Sequence, residues 1–246
     1  MLIFRSLTFL LLQFLLTPIF STLAIFTFPF SPLTRYRLIS SYARTMIWLL
    51  RPICGISHRV TGAENIPREP CVVLCKHQSA WETLALQVIM PPQVWVLKRE
   101  LLWLPFFGWG LAMTSPIAIN RSDGKGAVKQ LLKQGKQRLA QGFFVVIFPE
   151  GTRIPYGKRG KYKIGGALLA ASGSVPVLPI AHDAGRLWGR NSFIKHPGLI
   201  TISIGPVIPT SGLKAEEVNA RAESWIESEV LRIDQQNNTV LPHVRI

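Results

Sequence analysis

Acidic residues are scarce in this chain: 13 Asp and Glu stand against 28 Lys and Arg, which leaves a net charge of +15 and a pI near 10.4. So one-sided a balance excludes a self-neutralised surface and calls for an anionic partner, which is nucleic acid, an anionic lipid surface or a phosphorylated substrate. Cysteine is scarcer still. Cys54, Cys71 and Cys75 form no CxxC pair, so there is neither a disulfide framework nor a zinc-finger spacing. Cys71 and Cys75 alternate with apolar residues on an expected strand. Buried thiols in a reducing compartment describe them better than a zinc site built with His77, for which no second ligand pair follows. Internal repeats, low-complexity linkers and recognised nucleic-acid motifs are missing too, which turns the charge toward lipid and phosphate and the 246 residues toward one domain of catalytic size with an accessory segment.

What is abundant is hydrophobicity: 48% of residues, with a mean hydropathy of +0.26, high for a freely soluble protein. From 6 to 34 no charged residue occurs, longer than the ~20 apolar residues that cross a bilayer core. A secretory signal has a shorter apolar centre and a small-residue cleavage site, so this stretch reads as a retained anchor. Pro18, Pro29 and Pro32 interrupt it, and a kinked span, a re-entrant hairpin and a helix lying in the interface all remain open. Arg5 alone precedes it while Arg35, Arg37, Arg44 and Arg51 follow, so the positive-inside rule leaves the remainder in the cytoplasm. Residues 36–56 are amphipathic, suited either to anionic headgroups or to packing on a domain.

Beyond about 57 the pattern changes to short apolar runs at 71–75, 94–97, 116–119, 143–148, 175–180 and 199–204, separated by helical stretches. Continuous rather than alternating runs suit a sheet covered on both faces. The stretch 124–141 places Ala127, Val128, Leu131, Leu132 and Leu139 on one helical face, with Lys125, Lys129, Lys133, Lys136 and Arg138 on the rest. Residues 215–233 read as a helix with an acidic outer face, and the tail after 235 as loose. The expectation is an α/β fold: a mixed sheet with helices on both faces in 57–246, preceded by membrane-associated helices in 1–56.

Four clusters carry possible chemistry. The first runs from the strand at 71–75 into Lys76-His77-Gln78-Ser79-Ala80-Trp81-Glu82. Positions five apart do not share a helix face, so a His77–Glu82 pair requires His77 in the loop ahead of the helix. An imidazole held by a carboxylate is a general base for a hydroxyl proton. Ser79 to Glu82 also fits a capping box, in which Glu82 turns back to the Ser79 amide; one carboxylate has oxygens enough for both tasks. The second, 98–110, begins with Lys98 and Arg99 and becomes densely aromatic, fit for a core, an acyl path or a membrane interface. The third ends a strand on Arg121, whose fork can hold an anion. The fourth is Phe148-Pro149-Glu150-Gly151-Thr152-Arg153, a turn whose amides, hydroxyl and guanidinium could hold a phosphate or merely face water.

In this order, and joined by Val175-Pro-Val-Leu-Pro-Ile180, the four clusters resemble the glycerolipid acyltransferase family whose central member acylates lysophosphatidic acid. The resemblance covers about 60–206. It implies that His77 activates the acceptor hydroxyl and Glu82 orients the ring, that Arg121, Glu150, Gly151, Thr152 and Arg153 bind the acceptor phosphate with Lys98 as a further candidate, and that the 175–180 block serves the acyl chain or donor. The family usually carries Asp where this chain has Glu82. The implied enzyme is bound to the inner membrane, faces the cytoplasm, and moves a fatty acyl group from acyl carrier protein or acyl-coenzyme A to lysophosphatidic acid; the alternatives are another lysolipid acceptor or a non-enzymatic basic membrane adaptor. No metal or cofactor is implied beyond the acyl thioester co-substrate.

Overall fold

The structure, a computed structural model, describes residues 1–120 and 122–240, and the side chains of all of these except 238–240. Three helices come first: α1 (Leu2–Ile25), α2 (Pro32–Ile39) and α3 (Ser41–Cys54). There follow β1 (Ile56–Thr61), β2 (Val72–Cys75), α4 (Trp81–Ile89), β3 (Gln93–Lys98), α5 (Phe107–Met113), β4 (Ile117–Ile119), α6 (Gly124–Ala140), β5 (Phe144–Ile147), α7 (Gly165–Gly173), β6 (Val177–His182), α8 (Ala184–Leu187), β7 (Gly198–Ile204) and α9 (Ala215–Val240). The strands form one sheet in the order β1-β7-β6-β2-β5-β3-β4. From β6 to β4 they run parallel; β7 is antiparallel to β6 and carries β1 parallel to itself, so the sheet is mixed, as expected.

Both faces are covered, which is why the central strands are apolar without alternation. Val73 and Cys75 of β2 point into a core shared with Met46 and Leu50 of α3 and Trp81 of α4. Val72 and Leu74 point the other way, toward Leu131 of α6, Leu169 of α7 and Ile226 of α9. The six expected strands are present. β1 escapes an apolar-run criterion because its Ser57, His58 and Arg59 are polar; it is an edge strand held only by β7.

α3 resolves its two readings toward packing: Ala43, Met46, Ile47, Leu50 and Cys54 are buried in the core, and Trp48 projects outward at 70% exposure. α1 runs through Pro18 without a break and lies along the body. Its buried Phe9 meets the Trp188 ring edge-on at 5.7 Å, and Lys195 Nζ sits over Trp188 at 4.7 Å and over Phe9 at 5.5 Å. Farther along, Gly110 of α5 lets the two helices touch, since a Cβ there would lie 2.8 Å from Ser21 Oγ. The other side of α1, including Phe4, Leu11, Phe14 and Leu15, is exposed. At the other end of the chain, the stretch after 235 expected to be loose is helical as far as Val240, with Asn237 Nδ2 donating to Asp183 Oδ2 at 2.8 Å, and 241–246 lie outside the described residues.

Candidate active site

Strands β2, β3, β4, β5 and β6 point their C-terminal ends to one edge, where open sheets place ligand-binding loops. His77 stands in the loop between β2 and α4. Its Nδ1 lies 2.8 Å from Glu82 Oε1. The same oxygen accepts from the amides of Gln78 at 2.9 Å and Ser79 at 2.8 Å, while Ser79 Oγ accepts from the Trp81 amide at 3.1 Å. Helix capping and ring orientation are thus performed together, by one oxygen of one carboxylate. Because a carboxylate only accepts, Nδ1 carries the proton and Nε2 keeps its lone pair. Burial pushes the Glu82 carboxyl up, but the neighbouring His182 ring, His77 and the Ser79 amide outweigh it and hold the group below the usual range.

The ring is also fixed from its face. His77 stacks on Phe148 at 3.9 Å between centroids and 11° between planes, and Phe148 stacks in turn on Trp95 at 5.7 Å and 10°. Behind the pair lies His182, whose Nε2 donates to the Lys76 carbonyl at 2.8 Å and whose Nδ1 accepts from the Ala184 amide at 3.2 Å. Glu82 Oε2, 4.0 Å from His182 Nε2, has no hydrogen-bond partner among the described residues.

Lys76 and Glu150 form the underside of the loop. Lys76 Nζ, fully buried, donates to Glu150 Oε1 and to Glu227 Oε1, each at 2.7 Å, and Glu150 Oε2 accepts from the His77 amide at 2.9 Å. Tyr162 adds its hydroxyl to Glu227 Oε1 at 2.8 Å; burial, then that carboxylate, push its pKa far up and keep it a donor. A buried ammonium is tolerated only with such partners. Both Glu150 oxygens are turned inward and 5% of the residue is exposed, so its position suits holding the His77 loop rather than contacting an anion.

Two cavities meet at His77. One, of about 290 Å³, lies on the α6–α7 side of the sheet and is mostly apolar, with Ala127, Val128, Leu131 and Ile147 in its wall and Gly151 and Lys163 at its polar part. The other, of about 280 Å³, lies on the α1 side between α1, α4 and α5, lined by residues such as Phe20, Leu84 and Leu111, with Arg153 in its wall. His77, Val96 and Phe148 line both. The 148–153 turn therefore separates them, Gly151 serving one and Arg153 the other. Gly151 adopts φ +70°, and a Cβ there would come within 2.9 Å of Lys163 Nζ, so its lack of a side chain makes room for that lysine.

The remaining expected residues are less central. Thr152 is exposed and Lys98 lies at the end of β3, its ammonium 3.7 Å from Glu100 Oε1; neither lines a cavity. Arg121 lies outside the described residues. Sequence reasoning missed Lys163, Glu227, Tyr162 and the Trp95–Phe148 stack. Lys163, just ahead of Gly165-Gly166 at the start of α7, carried a faint signal; Glu227, among other acids on a helix 150 residues downstream of Lys76, carried none. Burial pushes the Cys71 thiol up to about 12 and Cys75 well above its usual value, so neither supplies a thiolate. Among the described residues no three His, Cys, Asp or Glu side chains converge as metal ligands do.

Comparison with known proteins gives the family and the fold. The acyltransferase family model matches residues 57–183, from β1 to just past His182. A 1-acyl-sn-glycerol-3-phosphate acyltransferase of Pseudomonas aeruginosa is 47% identical over 234 residues, which are 93% of this chain and 91% of that one. The alpha form of the same-named enzyme from Bos taurus is 31% identical over 183 residues, 73% of this chain and 64% of the relative, so the chain spans less than two thirds of that protein. Among solved structures, the 1-acyl-sn-glycerophosphate (LPA) acyltransferase PlsC of Thermotoga maritima superposes with a TM-score of 0.77 at 20% identity, covering 94% of this chain and 95% of that one; it shares the fold.

Proposed function

Since the chain belongs to the acyltransferase family, we propose that it is a membrane-bound enzyme that transfers a fatty acyl group from a thioester to the free hydroxyl of lysophosphatidic acid, giving phosphatidic acid for phospholipid synthesis. The observation that carries the reading is that two separate, largely apolar cavities share His77 in their walls, the ring whose Nδ1 is held by Glu82. Acceptor and donor each bring an apolar tail and a polar head, and each cavity offers an apolar wall with one cation, Arg153 or Lys163.

The acceptor enters on the α1 side, where the exposed apolar face of α1, a helix long and apolar enough to cross a membrane, holds the enzyme to lipid. Arg153 pairs with its phosphate and sets the hydroxyl beside Nε2. The donor acyl chain fills the α6–α7 cavity. As the acceptor oxygen attacks the thioester carbonyl, its proton passes to His77 Nε2; Glu82, through Nδ1–H, stabilises the imidazolium that forms. The tetrahedral adduct then expels the thiolate, which takes the proton from Nε2, leaving an ester and a free thiol. No acyl-enzyme intervenes. The arginines that follow α1 favour a catalytic body on the cytoplasmic side of the inner membrane.

The test is acyl transfer by the purified full chain in lipid micelles, with lysophosphatidic acid and both carrier-protein and coenzyme A thioesters. His77→Ala is expected to lower kcat about 10²- to 10⁴-fold with the protein still folded. Retention of most of the activity would remove His77 from the reaction, and indifference to the acceptor phosphate would redirect the reading to another lysolipid.

A further inference from the structure

α6 is built against its own stability. Lys125, Lys129, Lys133 and Lys136 are all exposed, and at 3.6 residues per turn they fall within about 80° of one another. Like charges three and four apart repel along a helix, and Lys125 in the first turn opposes the helix dipole. Asp123 at the N-cap eases only the first turn. The helix contains no acidic residue, and none of the four lysines forms an ion pair among the described residues. The acidic α9, by contrast, pairs Glu217 with Arg221 and Glu229 with Arg232 within itself. A stripe that violates local helix rules without compensation marks a surface shaped by something it binds.

Its location narrows what that is. Ala127 and Val128, on the inner side of the same helix, line the α6–α7 cavity that opens on His77. The four lysines do not line it, so their charge acts outside the cavity on a body too large to enter. α6 packs on the sheet face opposite the one carrying α1 and α5, so its lysines are not part of the apolar surface that α1 exposes.

We propose that the α6 stripe docks an acidic protein that carries the acyl thioester, laying its negative surface along Lys125, Lys129, Lys133 and Lys136 and passing its acyl group into the adjoining cavity. This rests on the acyl-transfer reading above and adds to it the class of donor and the face from which it arrives. Opposite charge across such a contact speeds encounter and is weakened by salt.

The experiment compares the full chain with K129E/K133E and with K129Q/K133Q, using one acyl chain on acyl carrier protein and on coenzyme A with lysophosphatidic acid as acceptor. For the carrier-protein donor, the reversed-charge variant is expected to lower kcat/KM at least 10-fold and the neutral variant less; both should keep wild-type rates with the coenzyme A donor. Salt should depress the wild-type carrier-protein rate and leave that of K129E/K133E nearly flat. Equal losses with both donors, no loss with either, or weaker binding to anionic vesicles as the sole defect would overturn the docking. So would a wild-type chain that uses coenzyme A thioesters alone. If the wild type transfers from neither donor, the acyl-transfer reading itself fails and the docking falls with it.

Discussion

Replacing Glu82 by Gln separates the two tasks that one oxygen performs. The amide keeps a carbonyl oxygen where Oε1 accepts from His77 Nδ1 and the Gln78 and Ser79 amides, so the start of α4 stays capped. Its NH₂ takes the place of Oε2, which is buried with no partner, and whose near neighbour His182 Nε2 is itself a donor at 4.0 Å. A buried unsatisfied donor costs about 1–3 kcal/mol, which lowers Tm by about 2–12 °C for a chain of this size. The lost charge acts on catalysis. A hydrogen bond to an ionised partner is worth about 1.5–3 kcal/mol, and losing it as His77 becomes an imidazolium lowers kcat about 10- to 150-fold, with little change in either KM.

Glu82→Asp does the reverse: the charge remains, but the shorter side chain cannot serve all three donors, so stability falls more and kcat less. Acid provides a further check. The folded Glu82 carboxyl lies below its unfolded value of 4.5, so its stabilisation is complete above that pH and is lost as pH falls through the folded value. The Tm difference between wild type and Glu82→Gln should therefore narrow on acidification below about 4.5. Steady-state kinetics and thermal melts of the three proteins decide the matter: full kcat in both variants with only Tm altered would mean that Glu82 caps a helix and does nothing for the base.

Lys76→Met leaves Glu150 buried with only the His77 amide, and breaking a buried pair of this kind costs about 3–5 kcal/mol, about 6–20 °C in Tm; a melt within 2 °C of wild type would refute the role given to the network. Leu111→Trp, which fills the α1-side cavity, should raise KM for a long-chain acceptor and spare the donor, whereas Val128→Trp should do the opposite; matching defects in both variants would show that the cavities are assigned wrongly.

The parts of the fold that follow from local pattern were legible. Strands buried on both faces are mostly apolar, and β2 and β5 announce themselves so; β7 alternates Thr201 and Ser203 with Ile200, Ile202 and Ile204, and β1, polar and paired on one side, gives no apolar run. His77 in a loop and Glu82 on the first turn of a helix followed from spacing alone, but the use of a single oxygen for both contacts depends on three amide directions no pattern encodes. The 148–153 turn read from its residues as either a phosphate site or a solvent-facing turn, and the resemblance gave all of it to the acceptor phosphate. In the structure Glu150 points inward to Lys76, and Gly151 and Arg153 face different cavities, because a tight turn sends successive side chains apart. Glu227 was invisible for a plainer reason: its partner is 151 positions away and its neighbours on α9 are equally acidic.

Among the described residues only His77, Val96 and Phe148 belong to both cavities. The wall of one can therefore drift in sequence without disturbing the other, and a lineage can retune which tail it accepts from the membrane while leaving untouched which tail it is handed from solution. Two specificities that meet at one histidine are, in evolutionary terms, nearly independent characters, coupled through these few side chains.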